Sequence, residues 1–250
     1  MVDWLPLALL FPAGLLAGIV NTIAGGGSFL TLPLLMMGGL PEQVANGTNR
    51  VAILMQTAYA SRVYDRHERL DRRALLFLLA ALLPGALVGV YLASAISPGH
   101  FRQAMGVLFV AFAGLMLVQR KLLMARPSRP VGSRVGAAVV FFMVGVYGGF
   151  LQAGVGLLLL VSMAAFLGRD LAASNGLKQA VVAAWTLPAV AWFAWCGQVS
   201  WAPGLVLGAG NLLGALVGAK LAIAKGNRLI FSLVVIVMVA TAIHLLWPGR

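Results

Sequence analysis

The chain repeats itself at a constant interval. Ala24, Gly25 and Gly27 recur as Ala153, Gly154 and Gly156, a step of 129 residues (154 − 25). The same step carries Gly39 to Gly168, Asn46-Gly47 to Asn175-Gly176 and Thr57 to Thr186. The block Gly85-Ala86-Leu87-Val88-Gly89 returns intact as Gly214-Ala215-Leu216-Val217-Gly218, and no gap is needed anywhere. A chain built this way has to fold as two like halves.

Composition says what surrounds those halves. Of the 250 residues, 61% are hydrophobic and 10% charged, where a soluble domain carries about 25% charged residues. One globule cannot bury so much apolar surface, so most of it is expected to face lipid. Apolar runs cover residues 4–20, 28–40, 44–61, 74–95, 105–118, 135–151, 157–167, 171–195, 203–224 and 229–247. Several reach the ~20 residues of a spanning helix. Runs 28–40 and 157–167 do not, and they hold equivalent places in the two copies. The expectation is an all-α polytopic membrane protein of two homologous halves, 1–119 and 135–250, joined by a basic linker at 120–134. Each half would contain a Gly-rich helix pair that is broken or forms a hairpin.

The net charge of +12 does not point to nucleic acid. Ten of the eighteen Lys and Arg fall within 62–73 and 120–134, between apolar runs. Cationic loops in such places set topology, and no basic face alternates with exposed aromatics. With both loops placed in the cytoplasm, two threadings of the second half remain. One puts the uncharged loop 196–202 outside and Lys225 with Arg228 inside; the other swaps them. Only the first keeps positive charge inside. The uncharged loop then occupies the repeat position of the basic 62–73, so equivalent loops lie on opposite sides. The halves are expected to be inverted, each with five crossings or with three crossings and a hairpin, and both chain ends outside. Met1-Val2-Asp3 lacks the basic n-region of a cleavable signal, and the single Cys196 forms no intrachain disulfide.

Two motifs carry the chemistry. In Asn21-Thr22-Ile23-Ala24-Gly25-Gly26-Gly27-Ser28 three glycines interrupt an apolar run, and Ser28 is placed to cap the next helix. Backbone N–H groups at that helix start would form an anion site aided by the helix dipole. Irregular backbone at membrane depth is tolerated where it lines a cavity. The partner segment is Gln152-Ala153-Gly154-Val155-Gly156. The second motif is Ala45-Asn46-Gly47-Thr48-Asn49-Arg50, matched by Ser174-Asn175-Gly176-Leu177-Lys178-Gln179. Asn46, Asn49 and Arg50 share a helix face, as do Asn175, Lys178 and Gln179. Polar groups in a span are costly unless paired or facing a cavity. Snorkelling to headgroups would explain Arg50 and Lys178, but asparagines cannot snorkel. Gly85-x-x-x-Gly89 and Gly210-x-x-x-Gly214-x-x-x-Gly218 read as close helix packing.

Some chemistries are missing. The six acids, Asp3, Glu42, Asp65, Glu68, Asp71 and Asp170, sit at termini or loops, which argues against a buried carboxylate proton relay or a cation path. His67, His100 and His244 lack metal-ligand spacing. No nucleophile–base pair appears, and the glycine run lacks the Lys-Ser/Thr of a phosphate loop. No enzyme activity, metal or cofactor is expected.

The sequence resembles the TauE/SafE, or sulfite exporter, family of membrane permeases over essentially its whole length. The resemblance rests on Ala17-Gly18-x-x-Asn21-x-x-Ala24-Gly25-Gly26-Gly27-Ser28, Pro33, Ala45-Asn46-x-Thr48-Asn49, Gly148-Gly149-Phe150-x-Gln152-Ala153-Gly154-x-Gly156 and Asn175-Gly176-x-Lys178. It implies transport of a small sulfur oxyanion or organosulfonate, such as sulfite, across the cytoplasmic membrane. The residues agree, since N–H groups, amides and cations suit an anion. The leading expectation is a secondary transporter working by alternating access. A passive anion channel and a non-transport assembly protein are the alternatives. The expected substrate-binding residues are Asn21, Gly25, Gly26, Gly27, Ser28, Asn46, Thr48, Asn49, Arg50, Gln152, Gly154, Gly156, Asn175, Lys178 and Gln179.

Overall fold

A computed structural model describes residues 4–23, 25–67, 69–118, 132–168, 171–222 and 243. Among them the chain forms helices α1 (Trp4–Ile23), α2 (Ser28–Met37), α3 (Glu42–His67), α4 (Arg72–Ala95), α5 (Pro98–Val118), α6 (Arg134–Phe150), α7 (Val155–Leu167), α8 (Leu171–Trp195) and α9 (Trp201–Ala222), and no strand. The sequence repeat is also a repeat of helices. The starts of α3 and α8 differ by 129 (171 − 42), and so do those of α4 and α9 (201 − 72). Paired glycines share left-handed backbone: φ is 82° at Gly25 and 74° at Gly154, 89° at Gly39 and 62° at Gly168. A residue without Cβ adopts that region freely, which is why the helices stop there.

Packing runs across the halves. Helix α1 lies along α9, α6 lies along α4, and α3 packs on α8. Small residues allow the close approach. A methyl at Gly85 or Gly89 would run into the carbonyls of Phe142 and Val146, and one at Gly210 or Gly214 into those of Phe11 and Leu15. The facing positions advance together, so α6 is parallel to α4 and α1 to α9. Helices α3 and α8 run in opposite directions. Gly47, early in α3, abuts the Gln198 carbonyl just after α8, and Gly176, early in α8, abuts Tyr64 near the end of α3 and Leu70 just after it.

The glycine segments break their helices halfway along these long neighbours. Asn21 and Thr22, at the end of α1, bond Gln56 near the middle of α3. Gln152, just after α6, bonds Thr186 in the central part of α8. Helix α2 returns to the start of α3, where Thr48 Oγ1 accepts from Ser200 N–H at 2.9 Å just ahead of α9. Since α1 begins alongside the start of α9, α1 and α2 form a hairpin. Aromatic contacts seat it: the Phe29 ring lies 5.0 Å from Phe109 and 5.3 Å from Phe112, and Phe112 stacks on Tyr147 at 5.4 Å.

Two sequence expectations change. Residues 62–73 are not one loop: α3 continues to His67 and α4 begins at Arg72, capped by Asp71, whose side chain accepts from the N–H groups of Arg73 and Ala74. No Gly or Pro in 62–67 stops the helix, so it extends past the apolar run. Ser28 does not cap α2. Gly27 holds the cap position with no side-chain bond, and Ser28 Oγ lies inside the first turn, accepting from Asn49 Nδ2 at 3.0 Å. The expected linker at 120–134, apart from 132–134, and the apolar run 229–247, apart from 243, lie outside the described residues. Among the described residues, Arg72–Ala95, Ser174–Trp195 and Trp201–Gly218 are long and apolar enough to cross a membrane.

Candidate functional site

The two helix breaks meet. A methyl on Gly25 would come within 2.6 Å of the Gly156 backbone, and one on Gly156 within 2.7 Å of the Gly25 Cα. Beside this crossing lies a small cavity of about 10 Å³, room for about one water, lined by Asn21 and Ser28 from the first break, Gln152 and Gly156 from the second, and Lys178 and Gln179 from α8. Ile53, Thr57, Val155 and Val182 complete its wall. Six of the fifteen expected residues are thus brought together from both halves.

The cavity is short of partners for its polar groups. Gln152 Nε2 donates to Thr186 Oγ1 at 2.7 Å, while its Oε1 is buried with no hydrogen-bond partner. The Nε2 of Gln179 is also buried and unpartnered. Lys178 is 2% exposed. Its Nζ donates to the carbonyls of Asn21 and Thr22, each at 3.3 Å, leaving one of its three donors. Among the described residues no backbone carbonyl accepts the N–H of Gly156. Buried N–H groups require an acceptor, and no carboxylate is among the described residues lining the cavity. An arrangement with spare donors, one ammonium and no acid fits an acceptor-rich, negatively charged guest.

The other expected residues form a surrounding layer. Asn49 bonds Ser28 and accepts from Thr31 Oγ1 at 2.6 Å. Gly25, Gly26, Gly27 and Gly154 build the breaks. A Cβ at Gly154 would strike the rings of Phe29 and Phe112. Asn46 Nδ2 donates to the Phe150 carbonyl at 2.9 Å. Arg50, 0% exposed, reaches the end of α6 rather than the cavity wall. Neither cation snorkels. Thr48 faces Ser200 at the end of the bundle, and Asn175 is half-buried with an unpartnered Oδ1. Sequence reading missed Thr22, Gln56, Thr57 and Thr186 as members of the site. The signal was present: Thr57 and Thr186 obey the repeat, and Asn49, Ile53 and Gln56 share a helix face.

The family model described as sulfite exporter TauE/SafE matches residues 10–245. The chain belongs to the TauE/SafE family. A probable membrane transporter protein of Haemophilus influenzae is 30% identical over 230 residues, covering 92% of this chain and 90% of that relative. The probable membrane transporter protein ORF9 of a Sinorhizobium species is 28% identical over 240 residues, 96% of this chain and 92% of the relative. The probable membrane transporter protein YfcA of Escherichia coli K12 is 28% identical over 250 residues, 100% of this chain and 93% of its own length. No solved structure matches the chain. TauE/SafE is a family of membrane transporters, which is not an enzyme class, and this TauE/SafE chain has helices apolar enough to span.

Proposed function

We infer that the chain is a secondary transporter moving a small anion across the cytoplasmic membrane by alternating access. The substrate class is a sulfur oxyanion or organosulfonate, sulfite among them. One observation carries the reading: both helix breaks open onto one cavity that holds a lysine and a buried, unpartnered amide donor, with no carboxylate among its described lining residues. Half-helix ends converging at the midplane are how many secondary transporters hold their substrates. The antiparallel course of α3 and α8 and the matched exchange of partners between halves support an inverted repeat. The first half then contributes one hairpin and three crossings, α3, α4 and α5, the second one hairpin with α8 and α9 as crossings among its described residues, and the halves rock about the Gly25–Gly156 contact.

Purified protein in vesicles tests this. Thiosulfate, sulfite, sulfate and methanesulfonate are screened first for thermal stabilisation, which grows with ln(1 + [L]/Kd). The stabilising anion should show saturable uptake and counterflow. Flux that follows the electrochemical gradient without saturation makes the protein a channel, and no flux of any of the four removes the anion reading. Cysteines at Asp65 and Gln198 should be labelled from opposite membrane faces; labelling from one face ends the inversion.

A further inference from the structure

The two buried cations stand one register apart in the two halves, since Arg50 corresponds to Gln179 (50 + 129) and Lys178 to Asn49; each reaches the other half's broken helix, yet they are bonded differently. On α3, Arg50 Nη1 donates to the Gly148 carbonyl at 3.2 Å and Nη2 to the Gly149 carbonyl at 2.5 Å. Asn46, one turn earlier on the same face, donates to the Phe150 carbonyl. The last three carbonyls of α6 are therefore all bonded by α3 side chains. A helix end leaves its final carbonyls without intrahelical partners and carries partial negative charge. At membrane depth no bulk water satisfies them. The guanidinium also lies 4.9 Å over the Phe193 ring, which holds it in place. Among the described residues Lys178 bonds only the Asn21 and Thr22 carbonyls, each at 3.3 Å, and it lines the cavity.

The segment after α6 explains why the end of that helix must be held. Gln152, two residues on, adopts φ 65°, a region that favours glycine, and its side chain lines the cavity. The Tyr147 hydroxyl donates to the Ala153 carbonyl from the other side. We propose that Arg50 is a positioning residue that, with Asn46, fixes the end of α6 so that Gln152 and Gly156 face the cavity, while Lys178 is the cation the anion meets. This rests on the anion-transport reading above. It assigns to Arg50 a role in geometry and none in the charge that the substrate feels.

The charge of the substrate separates the two roles. Uptake of thiosulfate, a dianion, and methanesulfonate, a monoanion, is measured in vesicles per folded molecule. Lys178→Gln should raise the thiosulfate KM relative to the methanesulfonate KM by about tenfold, since a dianion loses more from a missing cation. Arg50→Gln should slow both anions by about tenfold through the displaced break and leave the KM ratio as in wild type. A ratio shifted as in Lys178→Gln overturns the assignment. Arg50→Lys keeps the charge and loses the two-pronged grip, so it should also be slow; a wild-type rate overturns the positioning role. A second readout needs no substrate and covers a poorly folding Arg50→Gln. In a Cys196→Ala background, Ala153→Cys is buried beside the break. Adding Arg50→Lys should speed its labelling by a small maleimide several-fold, and an unchanged labelling rate sinks the proposal. If wild type moves none of the four anions, the transport reading fails, and the labelling still decides what Arg50 does.

Discussion

The two helix breaks face one cavity from opposite halves, yet they are built differently. The first runs through Gly25, Gly26 and Gly27, with Gly25 at φ 82°. The second carries Gln152 at φ 65° and Gly154 at φ 74°. A left-handed non-glycine residue costs on the order of 1 kcal/mol, and such strain persists where surroundings over-determine it. The surroundings here are Thr186 on the Gln152 amide, Arg50 and Asn46 on the end of α6, and Tyr147 on Ala153. The glycines of the first break carry no such side chain, and Lys178 and Gln56 hold its α1 end. A duplicated scaffold thus supplies two similar geometries, and only one copy carries a strained amide. The comparison teaches that recognition in this cavity is asymmetric even though the frame repeats.

The largest effect should come where the breaks coincide. Gly25→Ala puts a methyl 2.6 Å from the Gly156 backbone and needs left-handed φ as well. Overpacking of this kind costs about 1–3 kcal/mol, and the backbone strain adds on the order of 1 kcal/mol. Gly156→Ala meets Gly25 at 2.7 Å and carries only the overpacking. Both should lower the melting temperature and the monodisperse yield in detergent, Gly25→Ala more. Wild-type stability for Gly25→Ala would mean that the breaks do not touch and that the halves pivot elsewhere.

A middle-sized effect isolates the strained amide. Gln152→Gly relieves the left-handed cost, and Gln152→Ala keeps it, so the glycine variant should be more stable by about 1 kcal/mol. Both should lose transport about tenfold, because the amide beside the anion is gone. Thermal unfolding and vesicle uptake on the same preparations check the pair. Normal uptake by Gln152→Gly would make the second break as bare in function as the first and remove the asymmetry.

Much of this frame was legible in the sequence, for reasons that mark the limit of such reading. Glycine spacing announces a break because backbone freedom is local, so the stops at Ile23 and Phe150 and the short α2 and α7 fall where the glycine runs put them. The i, i+3, i+4 polar faces on α3 and α8 were legible because helix periodicity is local too. What those faces touch is not local. Arg50 finds its partners 98 and 99 residues away and Lys178 finds its own 156 and 157 away, so a cation that suits an anion in sequence can be capping a distant helix in the fold. Ser28 fits a cap by residue type, and Asn49, brought in by tertiary packing, takes its hydroxyl instead. Thr186, which obeys the repeat, looked like a spacing marker because its partner Gln152 is set by which element lies across the cavity.

The smallest effect lies in that pair of threonines, and it is the finest test of asymmetry. Thr57 and Thr186 are equivalent in the repeat and both are buried. Thr186 Oγ1 accepts from the Gln152 amide at 2.7 Å, whereas Thr57 Oγ1 donates at 2.7 Å to Ile53 O in its own helix. Thr186→Val keeps the shape and strands Gln152 Nε2 beside an Oε1 that already lacks a partner. A buried polar atom left unpaired costs about 1–3 kcal/mol, so anion affinity should fall several-fold as the amide turns away. Thr57→Val removes a back-bond to the helix's own carbonyl, which that carbonyl also shares with the backbone ladder, and affinity should stay near wild type. Thermal-shift titration of the two variants with the same anion gives both affinities. If they fall equally, the cavity reads hydroxyls on both walls and the strained amide is incidental. If only Thr186→Val falls, the second break is the half that recognises the anion.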